Sequence, residues 1–182
     1  MKYRRTLSLE EIEAWVGWEI TENSFLELKG KTIYGIIGKE WKNIKIKIKS
    51  SSICSKIEFQ NCENISLSLK ITPASEIFIE NSKEIAIEIQ DGRITFLEIK
   101  NSQAKIEIKN VRILGNVNIE NSKVELKMDN FSIIGNFAIK ISEIEGELKN
   151  GEILGNFLQD KRKKFHLEKE NFFILGKIAE II

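Results

Sequence analysis

The side chains able to do chemistry are few and scattered. His166 is the single histidine of the 182 residues. It stands between Phe165 and Leu167, a setting that predicts an outward, solvated ring, and no second His, Cys or Asp accompanies it as a metal site requires. Cys54 and Cys62 are too isolated for a disulfide framework or a zinc site. Acid–base catalysis needs carboxylates converging in a cleft, and Asp91, Asp129 and Asp160 lie far apart in register. The many Glu alternate with apolar residues and with Lys, which is how a solvated sheet face reads. No nucleophile motif, phosphate loop or dinucleotide fingerprint is present in the sequence. The expectation is a protein that is not an enzyme, with no catalytic residues, no cofactor and no metal. The basic run Lys161, Arg162, Lys163 and Lys164 reads as a solvated turn, with a weak phosphate contact, for instance in RNA, as the minority alternative.

Bulk properties narrow the class further. Twenty-eight Lys and Arg balance 27 Asp and Glu, so no general attraction draws the chain to nucleic acid or anionic lipid. No apolar run approaches the ~18 residues of a membrane span. The basic start is interrupted by Glu10, Glu11 and Glu13 before a signal-peptide core can form. A cytoplasmic protein is expected. The sequence has 33 Ile but only 6 Ala, which favours strand over helix. Abundant Lys and Glu suit a thermophile, 15 heat-labile Asn argue the other way, and an AT-rich genome would explain Ile, Lys and Asn together.

Elements that could position such residues come from an internal repeat. Asn61, Asn81, Asn101 and Asn121 recur every twenty residues, three of them in the words IENS, IKNS and IENS. A second series has the same spacing: ILGN at 113–116, IIGN at 133–136, ILGN at 153–156, and ILGK at 174–177. Between these signposts apolar residues alternate in triplets: Ile44/Ile46/Ile48, Ile65/Leu67/Leu69, Ile85/Ile87/Ile89, Ala104/Ile106/Ile108 and Val124/Leu126/Met128. Period two means strands with one buried face.

A twenty-residue turn of short strands is one coil of a parallel β-solenoid, stacked on the next at ~4.8 Å. A lone coil cannot bury its apolar face, so stacking makes the core. Twenty is not a multiple of six, against a hexapeptide solenoid, and bulky residues alternate instead of recurring every five, against a pentapeptide repeat. Leucine-rich repeats place two residues between the last strand apolar and the Asn, and here only one separates Ile119 from Asn121. The reading is an all-β, single-domain right-handed parallel β-helix of about eight coils over residues 21–182. Residues 1–20 form an N-terminal capping segment. In it Ser8 and Glu11 make a capping-box pattern, and a short helix is expected from Leu9 to Val16.

The ladder Asn61, Asn81, Asn101, Asn121 is read as stacked amides at a coil corner. The ladder Gly115, Gly135, Gly155, Gly176 is read as a corner requiring positive φ. One column invites a partner. The residues after the inward Ile of the second strand are Leu114, Ile134, Leu154 and Leu175, with Leu158 four residues beyond Leu154. With Ile181 and Ile182 they would make an apolar interface. The alternative is that these side chains turn inward at the corner.

At the words ILGNV, IIGNF, ILGNF and ILGKI the chain resembles the bactofilins, over about residues 111–182. That resemblance implies a right-handed β-helix core, end-to-end polymerisation without nucleotide, and a scaffold role. The middle of the chain, IEFQNCENISLSLKI and onward, is similar to the C-terminal β-helix of cyclase-associated proteins, a binding module. The functional expectation is a non-catalytic structural or scaffold protein that self-assembles. The alternative is an adaptor whose solenoid face or end binds another protein or a ribonucleoprotein.

Overall fold

The computed structural model describes residues 4–5, 23–30, 32–160 and 162–180. The early coils hold β1 (Arg4–Arg5), β2 (Phe25–Lys29), β3 (Thr32–Ile33), β4 (Ile36–Lys39), β5 (Lys42–Lys49) and β6 (Ser52–Gln60). The middle holds β7 (Glu63–Lys70), β8 (Ala74–Glu80), β9 (Lys83–Lys100), β10 (Gln103–Ile113), β11 (Val117–Glu120) and β12 (Lys123–Ile133). The late coils hold β13 (Phe137–Lys140), β14 (Glu143–Ile153), β15 (Phe157–Gln159), β16 (Phe165–Ile174) and β17 (Ile178–Glu180). Every pairing between them is parallel, β5 with β7, β7 with β9 and so on along the stack. The molecule is a parallel β-solenoid of about eight turns.

The alternating triplets set this register. Leu26, Ile46, Leu67, Ile87, Ile106 and Leu126 lie one above another as direct strand partners. A second inward column runs Ile33, Ile53, Ala74, Ile94, Ile113, Ile133, Ile153, Ile174, one residue per turn. A third runs Ile36, Ile57, Ile77, Leu97, Val117, Phe137, Phe157, Ile178. Stiff β-branched side chains stack well on a pleated surface. Burying each Ile is worth ~1.5–3 kcal/mol, and the columns form one continuous core. A one-residue slip would turn every Ile to water, so the register is firmly specified.

The glycine corner departs from the sequence expectation. Gly115, Gly135, Gly155 and Gly176 do not adopt positive φ, which among the described glycines is confined to Gly30 and Gly146. Glycine is needed there for close approach instead. A Cβ on Gly115 would stand 2.6 Å from the Thr95 carbonyl oxygen, and one on Gly135 2.5 Å from that of Gly115. At Gly155 and Gly176 the carbonyl below is closer still. The left-handed corners belong to other residues, mainly Asn.

The helix expected from Leu9 to Val16 lies outside the described residues. Within the expected capping segment, residues 1–20, β1 pairs in parallel with β2 through Arg4 to Phe25 and Arg5 to Leu26.

Gly135→Ala should lower stability by ~1–3 kcal/mol, the usual cost of overpacking a tight contact. The smaller unfolded-state entropy of Ala offsets at most ~1 kcal/mol of that. Denaturant unfolding measures the difference, and an unchanged midpoint would contradict the close stacking of this corner.

Candidate functional site

The solenoid carries its polar groups in columns. Asn81, Asn101 and Asn121 sit at φ near +50°, the left-handed region that Asn tolerates better than other side chains. Asn101 Nδ2 donates to Asn81 Oδ1 at 3.1 Å, and Asn121 Nδ2 to Asn101 Oδ1 at 2.9 Å. Asn61 shares the conformation with φ 55°. The column ends at Ile141, a β-branched residue held at φ 50° and exposed.

Besides a short pair, in which Asn64 Nδ2 donates to Asn43 Oδ1 at 2.7 Å, two further Asn columns accompany this ladder. At one corner Asn110, Asn130, Asn150 and Asn171 all have φ near +50°. Asn110 donates to Asp91 at 2.6 Å, Asn130 to Asn110 at 2.9 Å, Asn150 to Asp129 at 2.9 Å, and Asn171 to Asn150 at 3.1 Å. Their spacing of twenty or twenty-one residues was the available signal. The other column is the last letter of the ILGN words. The side-chain oxygens of Asn116, Asn136 and Asn156 accept the backbone N–H of Asn136, Asn156 and Lys177 at 2.8–2.9 Å.

A buried hydroxyl column runs beside the first Asn ladder. Ser82, Ser102, Ser122 and Ser142 each donate to the carbonyl two residues back at 2.6–2.8 Å. Each also accepts the backbone N–H of the residue one coil earlier, Cys62, Ser82, Ser102 and Ser122, at 3.0–3.1 Å. Cys62 stands where the column would hold a fifth serine. It is buried with a free thiol, and burial pushes that thiol up, away from the reactive thiolate. Beyond Ser142, Asp160 accepts the Ile141 N–H at 3.3 Å. Its carboxylate is buried and gripped by the Arg162 guanidinium at 2.5–3.0 Å. The guanidinium bonds first, and then the backbone N–H groups of Arg162 and Ile141, hold Asp160 well below the usual carboxylate range.

The outward sheet face is a mixed-charge groove of about 840 Å³ that includes Lys105, Glu125, Glu145 and His166. Strand pairing stacks Glu107, Lys127 and Glu147, and beside them Lys109, Asp129 and Lys149. Lys105 meets Glu107 and Glu125 at 3.2 Å each, and Lys149 meets Glu147 at 2.7 Å. The Glu125 and Glu107 carboxylates push the Lys105 ammonium up, and Lys149 lowers Glu147. These groups are solvated, so each pair contributes little to stability. His166 lies on this face with a largely exposed ring, 3.7 Å from Glu168. In the basic run, Arg162 is turned back onto Asp160 and Lys164 reaches Glu145 at 3.5 Å, while Lys161 lies outside the described residues. Among the described residues no three His, Cys, Asp or Glu groups converge on a metal site, and no helix is long and apolar enough to cross a membrane.

The column expected to face a partner is graded along the rod. Leu114, Ile134, Leu154 and Leu158 are half-buried, and Leu175 is 74 % exposed. Ile181 and Ile182 lie outside the described residues. Ala138 is buried beneath this surface, between its strand partners Asn118 and Leu158. On the last coil Phe173 and Ile178 add exposures of 69 % and 63 %.

Two outcomes test these columns. Asn101→Ala should cost ~1–2 kcal/mol through two side-chain bonds and the left-handed backbone, whereas Ile141→Asn, which relieves a β-branched residue there, should raise the melting temperature. Asp160 has a folded pKa below its unfolded value of ~3.9. Its contribution is therefore complete above about pH 5 and is lost as pH falls towards the folded value. The melting-temperature gap between wild type and Asp160→Asn should be constant from neutral pH to about 5 and narrow below about 4; a gap independent of pH would remove the charged bond from the account.

Comparison with protein-family models, with curated proteins and with solved structures gives no match for this chain.

Proposed function

We propose that the chain is a non-catalytic scaffold, a right-handed β-helix of bactofilin-like type acting in the cytoplasm. Its contact surface is the lateral column Leu114, Ile134, Leu154, Leu158 and Leu175. The observation that carries this reading is the continuity of that column. Four successive coils place a large aliphatic side chain outside the inward Ile, half-buried in the middle and open to water at Leu175. Contiguous apolar surface on a soluble protein marks an interface. Repetition makes it a straight strip on a rigid rod, suited to a second solenoid or another protein lying alongside. The resemblance of the ILGN words to bactofilins points the same way. A protein adaptor is the second reading, favoured by the mixed-charge groove, whose alternating signs could match a complementary partner. The basic run is a poor phosphate site, because Arg162 and Lys164 are already paired with Asp160 and Glu145.

The test is the mass of the chain by light scattering over a range of concentrations. Wild type should form species well above the 21.0 kDa chain that grow with concentration. The double substitution Ile134→Lys with Leu154→Lys should abolish that growth with the melting temperature nearly unchanged, because half-buried Lys can carry its ammonium to water. If the double variant unfolds, both side chains belong to the core and the lateral contact is wrong. If wild type does not grow, self-assembly fails and the adaptor reading remains, tested by whether the same substitutions abolish binding of a candidate protein partner.

A further inference from the structure

The chain is nearly neutral, yet its charge is not spread evenly along the rod. On β5 the outward Lys45, Lys47 and Lys49 alternate with the buried Ile44, Ile46 and Ile48, and no acid interrupts the row. Strand pairing sets Lys29 below Lys49 and Lys70 above it, so three lysines share one column. Over the outward positions from Phe25 to Lys29, Lys45 to Lys49 and Ser66 to Lys70, five lysines stand against one acid, Glu27. Beyond Gln90 the same column alternates in sign, through Lys109, Asp129, Lys149 and Glu170. Ion pairing divides the face in the same way. Lys105, Lys127, Lys149 and Lys164 each reach a glutamate at 2.7–3.6 Å. Lys29, Lys45, Lys47, Lys49 and Lys70 make no ion pair among the described residues.

Like charges opposite one another on neighbouring strands oppose folding, so stability does not account for this column. What the lysines provide is a flat lattice of positive charge. Neighbouring coils are ~4.8 Å apart and alternate residues of a strand ~6.6 Å apart. The second distance is close to the separation of successive phosphates in an extended nucleic-acid strand, so Lys45, Lys47 and Lys49 can each meet one phosphate of a strand laid along β5. A rigid duplex would touch so flat a face along one ridge of its backbone only, whereas a flexible single strand follows it. An acidic peptide on the face, instead of at a sheet edge, would gain no ladder hydrogen bonds and would have to be held extended by side chains alone. A lipid surface is bound by apolar insertion as well as by charge. The one apolar outward residue of these rows, Phe25, is half-buried, with Lys45 Nζ 6.0 Å from its ring centroid. That ring suits a base stacked at the end of the lysine row. The Ser66 hydroxyl, next above Lys45, makes no hydrogen bond among the described residues and is able to donate to a phosphate oxygen.

We propose that this face binds single-stranded nucleic acid through its sugar–phosphate backbone, with the strand running along β5 over Lys45, Lys47 and Lys49 and flanked by Lys29 and Lys70. Lysines act here as point charges, so the contact positions the strand and does not read its sequence. The site lies on other coils than the lateral column of Leu114, Ile134, Leu154 and Leu175, so neither surface needs the other.

The experiment is fluorescence anisotropy of a labelled oligothymidylate of about 20 nucleotides, longer than a typical single-strand site, titrated with the full chain at several salt concentrations. With four to five phosphates neutralised, the logarithm of the affinity should fall against the logarithm of salt with a slope of about −3. Lys47→Glu with Lys49→Glu should weaken binding at least tenfold. Because Lys49→Glu places an acid between Lys29 and Lys70, the same variant should melt no lower than wild type, which separates lost binding from lost fold. The charge-matched pair Lys140→Glu with Lys177→Glu, at exposed positions off this face, should leave binding within threefold. If the first variant does melt lower, the triple change of Lys45, Lys47 and Lys49 to Gln decides: a salt slope smaller by about two supports the site, and an unchanged slope overturns it. No binding at about 100 micromolar chain in about 50 mM salt overturns the proposal. So does binding that the control pair weakens as much as the β5 pair. Tighter binding of a polyglutamate peptide, of polyphosphate of equal charge or of phosphatidylserine vesicles than of the oligonucleotide overturns the assignment to nucleic acid.

Discussion

Backbone hydrogen bonds in this molecule run between coils, so each residue's neighbours above and below are its own counterparts twenty residues away. A side chain is therefore allowed at a position only if it can stack on a copy of itself or on a matched partner. Ile satisfies this inside, because identical branched side chains pack without polar groups. Asn and Ser satisfy it at the corners for a different reason. An amide carries both donor and acceptor, so stacked Asn side chains bond one another, and a hydroxyl donates to a carbonyl of its own coil while accepting the backbone N–H of the coil before. A carboxylate or ammonium gains nothing from stacking on itself. In the middle coils two charged columns alternate, Glu107–Lys127–Glu147 and Lys109–Asp129–Lys149, while like charges stacked elsewhere, as in Lys29–Lys49–Lys70 and Glu125–Glu145, lie on the solvated face where water screens them.

The same constraint explains the exceptions. Cys62 replaces a Ser at the start of the hydroxyl column, where it offers its own N–H to Ser82 and its thiol reaches the carbonyls of Gln60 and Gly38 at 3.4 Å. Asp160 comes after the column's end and brings a compensating Arg162 with it. Two inward strand columns lose their apolar character in the late coils. Ile139 is followed by Gln159 and then Glu180, and Leu148 is followed by Lys169. Inward charge near an edge is a known means of limiting indiscriminate strand addition.

Much of the arrangement was legible in the sequence. The twenty-residue spacing and the alternating triplets gave the column through Ile46, Leu67 and Ile87 directly. The Asn81–Asn101–Asn121 ladder was visible because its surrounding words repeat. Asn110, Asn130, Asn150 and Asn171 share only the sparse pattern Asn-x-x-Ile, leading into the ILGN, IIGN and ILGK words, and the two residues between vary. The serines were in plain view after each Asn, but nothing in a one-dimensional pattern says that a small polar residue is inside, accepting a backbone N–H.

By itself the sequence determined the period, the strands, the solenoid and the register, because those follow from which residues recur at which spacing. Only the tertiary structure decided why a given residue recurs. Glycine at the ILGN corner was expected for its φ and proves necessary because the carbonyl of the coil below leaves no room for a Cβ. The lateral column was expected either outside or inside, and stacking places it partly in both.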